Sequence, residues 1–184
     1  AGTRGGGGGG GRVAIVVTGS DSSNLNLQAN SGMGGINGGA GVISLKTVGG
    51  TNYNLSIGDL THVPQAATSV SGPNPVFSTV TLDNSIVSFD PGSTVNINSL
   101  IIVGTATVTA NNMIFGAGSP LLISNGAVLG LTANSLSFGA NAPIEIQRGA
   151  VFSLAGQSIS GGMLNVRGGV FQQVNASTLN FISV

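Results

Sequence analysis

The chain has 184 residues, of which five are Lys or Arg, five are Asp or Glu and one is His, so its formal charge is zero. Charged residues make up 5% of it, against about 25% in ordinary soluble domains, which leaves too few cations to neutralise a nucleic-acid backbone. There is no Cys, and apolar runs stop at about five residues, as in Val13–Val17, so disulfide frameworks, thiolate metal sites and membrane-spanning helices are excluded together.

The length suits a single domain. Gly accounts for 32 residues, more than twice the usual share of roughly 7%. A positive mean hydropathy also separates the chain from charge-rich disordered sequences. No secretory leader is visible, and the start Ala1-Gly2-Thr3-Arg4 reads as that of a mature, processed or excised fragment, with a cytoplasmic protein that has lost its Met as the alternative.

Three zones follow one another. Residues 1–50 form a Gly-rich β segment, read as the first coils of a stack, with Gly5 to Gly11 unbroken and a second cluster from Gly32 to Gly41. Arg12–Val17, Asn24–Gln28 and Gly41–Lys46 have strand composition. The seven-residue glycine run suits either a flexible linker or an ordered element, a tightly packed glycine turn or a polyglycine stretch lying against a coil. Residues 51–75 are a loop-rich connection that holds Pro64, Pro73 and Pro75, the single Tyr (Tyr53) and the single His (His62).

Residues 76–184 alternate apolar with small polar residues, as in Val95-Asn96-Ile97, Leu136-Ser137-Phe138 and Leu164-Asn165-Val166. This is the period-2 signal of half-buried strands. Helix is disfavoured throughout, because Gly, Val, Ile, Thr and Asn dominate.

The zone repeats itself. Asn111–Pro120 superimposes on Asn134–Pro143 at an offset of 23 residues, and Gly126-Ala127-Val128 on Gly149-Ala150-Val151 at the same offset; the next step is 20. In that register four apolar columns run down the chain: Leu100/Ile123/Ile146/Val166, Val108/Leu131/Leu154/Val174, Met113/Leu136/Ile159/Leu179 and Val128/Val151/Phe171. Phe115, Phe138, Gly161 and Phe181 form a fifth, and Asn111, Asn134, Gln157 and Ser177 a polar one. An antiparallel sandwich also has short strands and polar turns, but it does not explain columns kept in register. The expected fold is all-β, a parallel β-helix (β-solenoid) with coils of about 20–23 residues.

Catalytic and metal constellations are weak, and no catalytic, cofactor-binding or metal-binding residue is assigned. GxGxxG matches fall inside glycine tracts without a following GK[ST], so they carry no phosphate loop. The glycine clusters lack the Asp of calcium-binding β-rolls. The acidic residues are Asp21, Asp59, Asp83, Asp90 and Glu145. Asp83 and Asp90 read as solvated turn residues rather than an acid–base pair. Ser56, Asp59 and His62 are near one another in sequence, yet a triad is defined by geometry, and a polar loop is the expected setting. Glu145 and Arg148 suit a local surface pair, worth little. Asn54-Leu55-Ser56 and Asn175-Ala176-Ser177 match the glycosylation sequon.

Gly5–Gly11 followed by Arg12-Val13-Ala14-Ile15 resembles the GGGGGGRIAI-type element of large secreted bacterial surface proteins. Gly38–Lys46 resembles the GGAGTIYLK-type strand that follows it there, and Ile159–Val166 is similar to the I-S-G-G-T-L-N-V coils of autotransporter and haemagglutinin-like passengers. The likeness covers the first fifty residues and, loosely, 80–184. It implies a right-handed parallel β-helix exported to the cell surface, with an adhesive or matrix role. No translocator, anchor or sorting segment is recognisable, so the resemblance implies a piece of a longer passenger or a processed subunit.

The expectation is therefore a non-enzymatic, secreted or surface-exposed structural or adhesive β-solenoid, without cofactor. The expected partners are another copy meeting a solenoid end, or the continuation of a longer chain, together with a glycan or other cell-surface ligand. Nucleic acid and a membrane span are not expected. The alternative is a phage tailspike or tail-fibre segment that binds or cleaves surface polysaccharide.

Overall fold

The computed structural model describes residues 8–17, 38–47, 53–59, 64–155, 158–174 and 179–180. Among them there is no helix; seventeen strands join in one continuous sheet, wound into a β-solenoid of about five turns. The N-terminal layers hold β1 (Arg12–Val17), β2 (Gly41–Thr47), β3 (Tyr53–Gly58) and β4 (Thr68–Val70). The next coil is β5 (Val76–Asp83), β6 (Ser85–Phe89) and β7 (Thr94–Ile97). Two coils follow in which one long strand covers two sides: β8 (Leu100–Ile102) with β9 (Thr105–Phe115), then β10 (Leu121–Ile123) with β11 (Val128–Phe138). The last coils are β12 (Pro143–Ile146), β13 (Val151–Ala155) and β14 (Ser158–Ser160), then β15 (Met163–Val166), β16 (Val170–Val174) and β17 (Leu179–Asn180).

Parallel pairing between successive coils builds three faces. β3, residues 80–82 of β5, β8, β10, β12 and β15 stack on the first. β4, β6, the first half of β9 and of β11, β13 and β16 stack on the second. β7, the second halves of β9 and β11, β14 and β17 stack on the third. Steps between partners run from 18 residues (β7 to β9) to 25 (β3 to β5).

The alternation seen in the sequence points every second side chain inward. β9 buries Ala106, Val108, Ala110, Met113 and Phe115; β11 buries Leu129, Leu131, Ala133, Leu136 and Phe138. Each fully buried aliphatic contributes roughly 1.5–3 kcal/mol before ordering is charged. Like sits on like: the rings of Phe115 and Phe138 are stacked at 4.6 Å, close to the ~4.8 Å separation of the strands that carry them.

Met113, Leu136, Ile159 and Leu179 are vertical neighbours in backbone register, as the repeat implies. Three other columns are corrected by one or two residues. Ile123 pairs with Ile102, and Leu100 with Leu121, because the corner after β8 is two residues long whereas the corner after β10 is four. Val151 pairs with Val170 and Leu154 with Gln173, because the corner before β16 is one residue shorter than the corner before β13. Phe171 accordingly lies on Phe152, edge to face at 5.4 Å. Constant strands joined by corners of variable length drift in register, and a fixed offset misses the drift.

The sequence span 51–75 carries β3 and β4, which pair in parallel with β5 and β6. Above them lies a layer made largely of glycine backbone. Gly10 N–H donates to Gly39 O (2.8 Å) and Val42 N–H to Gly11 O (3.0 Å). Gly39 bridges to Ala66, and buried Thr68 Oγ1 donates to Ala40 O (2.6 Å). The described part of the glycine run, Gly8 to Gly11, is not itself a strand but is hydrogen-bonded to residues 39 and 42 and leads into β1; Gly5 to Gly7 lie outside the described residues, as does the expected strand Asn24–Gln28. β1 and β2 are parallel, whereas β2 runs antiparallel to β3.

Candidate functional site

The chemistry-bearing residues singled out in the sequence do not converge. Asp83 and Asp90 flank the five-residue strand β6, which separates them by roughly 20 Å at strand rise. Paired carboxylates of a glycosidase lie within ~5–9.5 Å. Both are half-buried rather than freely solvated. Asp90 organises a turn: its main-chain O accepts from Ser93 N–H (3.0 Å) and Ser93 Oγ–H (2.9 Å), and its Oδ2 accepts from Gly72 N–H at 2.9 Å.

Ser56 is exposed on β3, whereas Asp59 is buried just past its end. Asp59 N–H donates to Asp83 O (3.1 Å), and Asn84 Nδ2 donates to Asp59 O (3.4 Å). His62 and Asp21 lie outside the described residues. Glu145 Oε1 accepts from Gln147 Nε2 at 3.2 Å, while Arg148 is exposed in the corner that follows. Asn54 and Ser56 of the first sequon share the exposed side of β3; the second sequon lies outside the described residues. Among the described residues no group of three or more His, Cys, Asp or Glu is placed to hold a metal ion.

Corners and outward faces use small neutral polar groups. Asn74, Asn84 and Asn141 adopt left-handed φ values of 48°, 42° and 56°, a region that Asn tolerates better than most residues. Asn74 Oδ1 accepts from Thr94 N–H (2.9 Å) and Asn84 Oδ1 from Thr105 N–H (3.2 Å), so each side chain ties its corner to the following coil. Where β9 and β11 bend from the second face to the third, Asn134 Nδ2 donates to Asn111 Oδ1 (2.6 Å) and Ser135 Oγ to Asn112 Oδ1 (2.8 Å). These are two rungs of a polar ladder; the other expected members, Gln157 and Ser177, lie outside the described residues. The outward register of the third face reads Asn96–Ile114–Ser137–Ser160–Asn180.

Two concavities meet at the loop between β4 and β5. One, of about 460 Å³, is lined by Tyr53, Val70, Pro73, Pro75 and Phe77 among others. The other, of about 330 Å³, shares Gly72 and Pro73 and adds Asn74, Asp90 and Ser93. Tyr53 is 40% exposed and caps the column Tyr53–Phe77–Ile97–Phe115–Phe138. A register shift between Tyr53 and Asn54 marks a bulge, of the kind that re-aims side chains beside binding sites. Tyr53, Pro73 and Pro75 stand out in the sequence individually, but only the coil register brings them together.

The last described coil is bare by comparison. β15 and β16 are paired on one side only among the described residues, and Met163, Val166, Val170 and Val174 are exposed there. Comparison of the chain with family models, with curated proteins and with solved structures gives no match.

Proposed function

We propose that the chain is a non-enzymatic extracellular β-solenoid with a structural or adhesive role, a rigid segment of a surface stalk or a subunit of a filament or matrix. The observation that carries this reading is the stack itself: one aliphatic core runs through every coil, while the outward side chains are mostly short, uncharged and aligned. A solenoid of this kind is a rod whose length grows by ~4.8 Å per coil. Its neutral Ser, Thr and Asn surface stays hydrated without attracting nucleic acid or acidic surfaces. The likeness of the glycine-led strands β1 and β2 to elements of secreted bacterial surface proteins supports export.

The end formed by β15 and β16 favours end-on growth, with a further coil supplied by a second copy or by chain that follows. Open strand edges recruit strands, and the exposed valines of this coil give such a partner apolar surface to cover. Immunogold electron microscopy of the producing cells, with antibody against the folded chain, tests the reading. The expected result is label on the cell surface or on extracellular fibres; label confined to the cytoplasm overturns it.

A further inference from the structure

We propose that the joined concavities at the β4–β5 loop form a subsite for a neutral glycan, with the Tyr53 ring as its platform and Asn74 and Asp90 as its hydroxyl partners. The proposal rests on the extracellular reading; it narrows the glycan expected from the sequence to a neutral one and gives it a location.

Three observations carry it. The first is composition of the walls: among the described residues neither concavity is lined by Lys, Arg or His, and Asp90 is the one carboxylate. That lining disfavours acidic glycans, phosphates and acidic peptides and suits an uncharged, hydroxyl-rich ligand. The second is the division of labour along the groove. Tyr53, Pro73 and Pro75, with Ser44 and Ser71 beside them, line one concavity, and Asn74, Asp90 and Ser93 line the other, which adjoins it at the shared Gly72 and Pro73. A pyranose has the same two sides, a C–H face that packs on an aromatic ring and a rim of hydroxyls. Tyr combines an apolar body with a polar tip, and ligand sites are mostly apolar walls with a few placed polar groups.

The third is spare hydrogen-bonding capacity in a fixed geometry. A carboxylate offers about four acceptor sites, and Gly72 N–H takes one at Asp90 Oδ2. Asn74 uses its Oδ1 on Thr94 N–H, which fixes the side chain and leaves its amide NH₂ to donate. Both groups are held by backbone contacts from neighbouring coils, so the site is formed before a ligand arrives. A proline-rich peptide is the rival occupant. Such peptides dock in grooves lined by aromatic rings, whereas here the walls beside Tyr53 are themselves prolines.

Tyr53 is the only Tyr and the chain has no Trp, so its intrinsic emission reports on this groove alone. The test titrates the intact chain with hexaoses of α-1,4-glucose, β-1,4-glucose and β-1,4-mannose, with oligogalacturonate as the acidic arm and decaproline as the peptide arm. A saturable change with at least one neutral hexaose is expected. By calorimetry, Tyr53→Ala and Asp90→Asn should weaken that binding at least tenfold, and Tyr53→Phe, which keeps the ring, should retain it within threefold. Circular dichroism and thermal unfolding establish that each variant folds. Response to decaproline or oligogalacturonate alone, no response to any neutral hexaose, or undiminished binding by folded Tyr53→Ala overturns the proposal. Cytoplasmic immunogold label would defeat the extracellular reading itself, so the two failures are distinguishable.

Discussion

The coils from β8 to β13 and the glycine layer above β4 use the same parallel backbone pairing but are held by different side-chain physics. In the coils every strand adds apolar groups to columns that extend up and down the stack, such as Leu100–Leu121–Ile144–Leu164. In the glycine layer the bonds from Gly10 to Gly39 and from Val42 to Gly11 are made, yet the glycines bring no side chain to bury. The contrast separates two roles. Backbone pairing extends a sheet with almost any sequence, whereas register is set by what the side chains bury. Glycine strands should therefore join the stack while doing little to hold it.

The largest expected effect lies in the coils. Phe152 is fully buried between Leu129 and Phe171 in its column. Phe152→Ala removes the ring and leaves a cavity, a change that costs about 3–5 kcal/mol. Urea unfolding followed by circular dichroism measures it. A loss under about 1 kcal/mol would mean that this column does not carry the core.

A glycine in the coils should matter next. Gly161 has φ +75°, and a Cβ there would strike the carbonyl of Phe138 in the preceding coil. Gly161 and Gly162, both left-handed, make the tight corner where the repeat shortens. Gly161→Ala should cost about 1–3 kcal/mol from the backbone alone, lowering the thermal midpoint by roughly 2–4 °C per kcal/mol for a chain of this size. An unchanged midpoint would show that the corner relaxes freely.

Ser85 should shift stability the other way. It heads the column Ser85–Ala106–Leu129–Phe152, and its buried Oγ has no hydrogen-bond partner among the described residues. An unsatisfied buried polar group costs about 1–3 kcal/mol. Ser85→Ala should therefore stabilise the chain by about 1 kcal/mol on that scale, seen as a higher urea midpoint. Destabilisation would mean that the hydroxyl is satisfied, for instance by a buried water.

The architecture was legible because a solenoid writes its period into the chain. The offset between Met113, Leu136, Ile159 and Leu179 survives in the structure unchanged. Corner lengths were not legible to the residue, since Val103-Gly104 and the 124–127 corner do equivalent work with different numbers of residues. Hence the columns through Leu100, Val128 and Val108 slipped by one or two positions. The pairing of β3 and β4 into the stack was hidden as well, because a bulge and the Pro73 and Pro75 loop interrupt the alternation there. The groove around Tyr53 could not be read at all. It depends on Tyr53 lying in register with Phe77, a long-range pairing that no local motif encodes.

The smallest effects test the two sides of the glycine layer against each other. A Cβ on Gly9 would meet nothing within 4 Å, and its φ lies outside the left-handed region. Neither packing nor backbone geometry among the described residues demands glycine there. Gly9→Ala should then leave stability unchanged or raise it by about 0.4–1 kcal/mol, since alanine restricts the unfolded chain. Gly38 is the opposite case, because its Cβ would run into the backbone of Gly8. Gly38→Ala must push residues 8–10 away and should weaken the bond from Gly10 N–H to Gly39 O. Amide hydrogen exchange at Gly10, read beside the urea midpoints of both variants, gives the comparison directly: faster exchange in Gly38→Ala, unchanged exchange in Gly9→Ala. If Gly9→Ala accelerates exchange as much as Gly38→Ala does, the outer side of the glycine run is packed as closely as the inner, and the layer is a sandwiched element rather than a light cover on the stack.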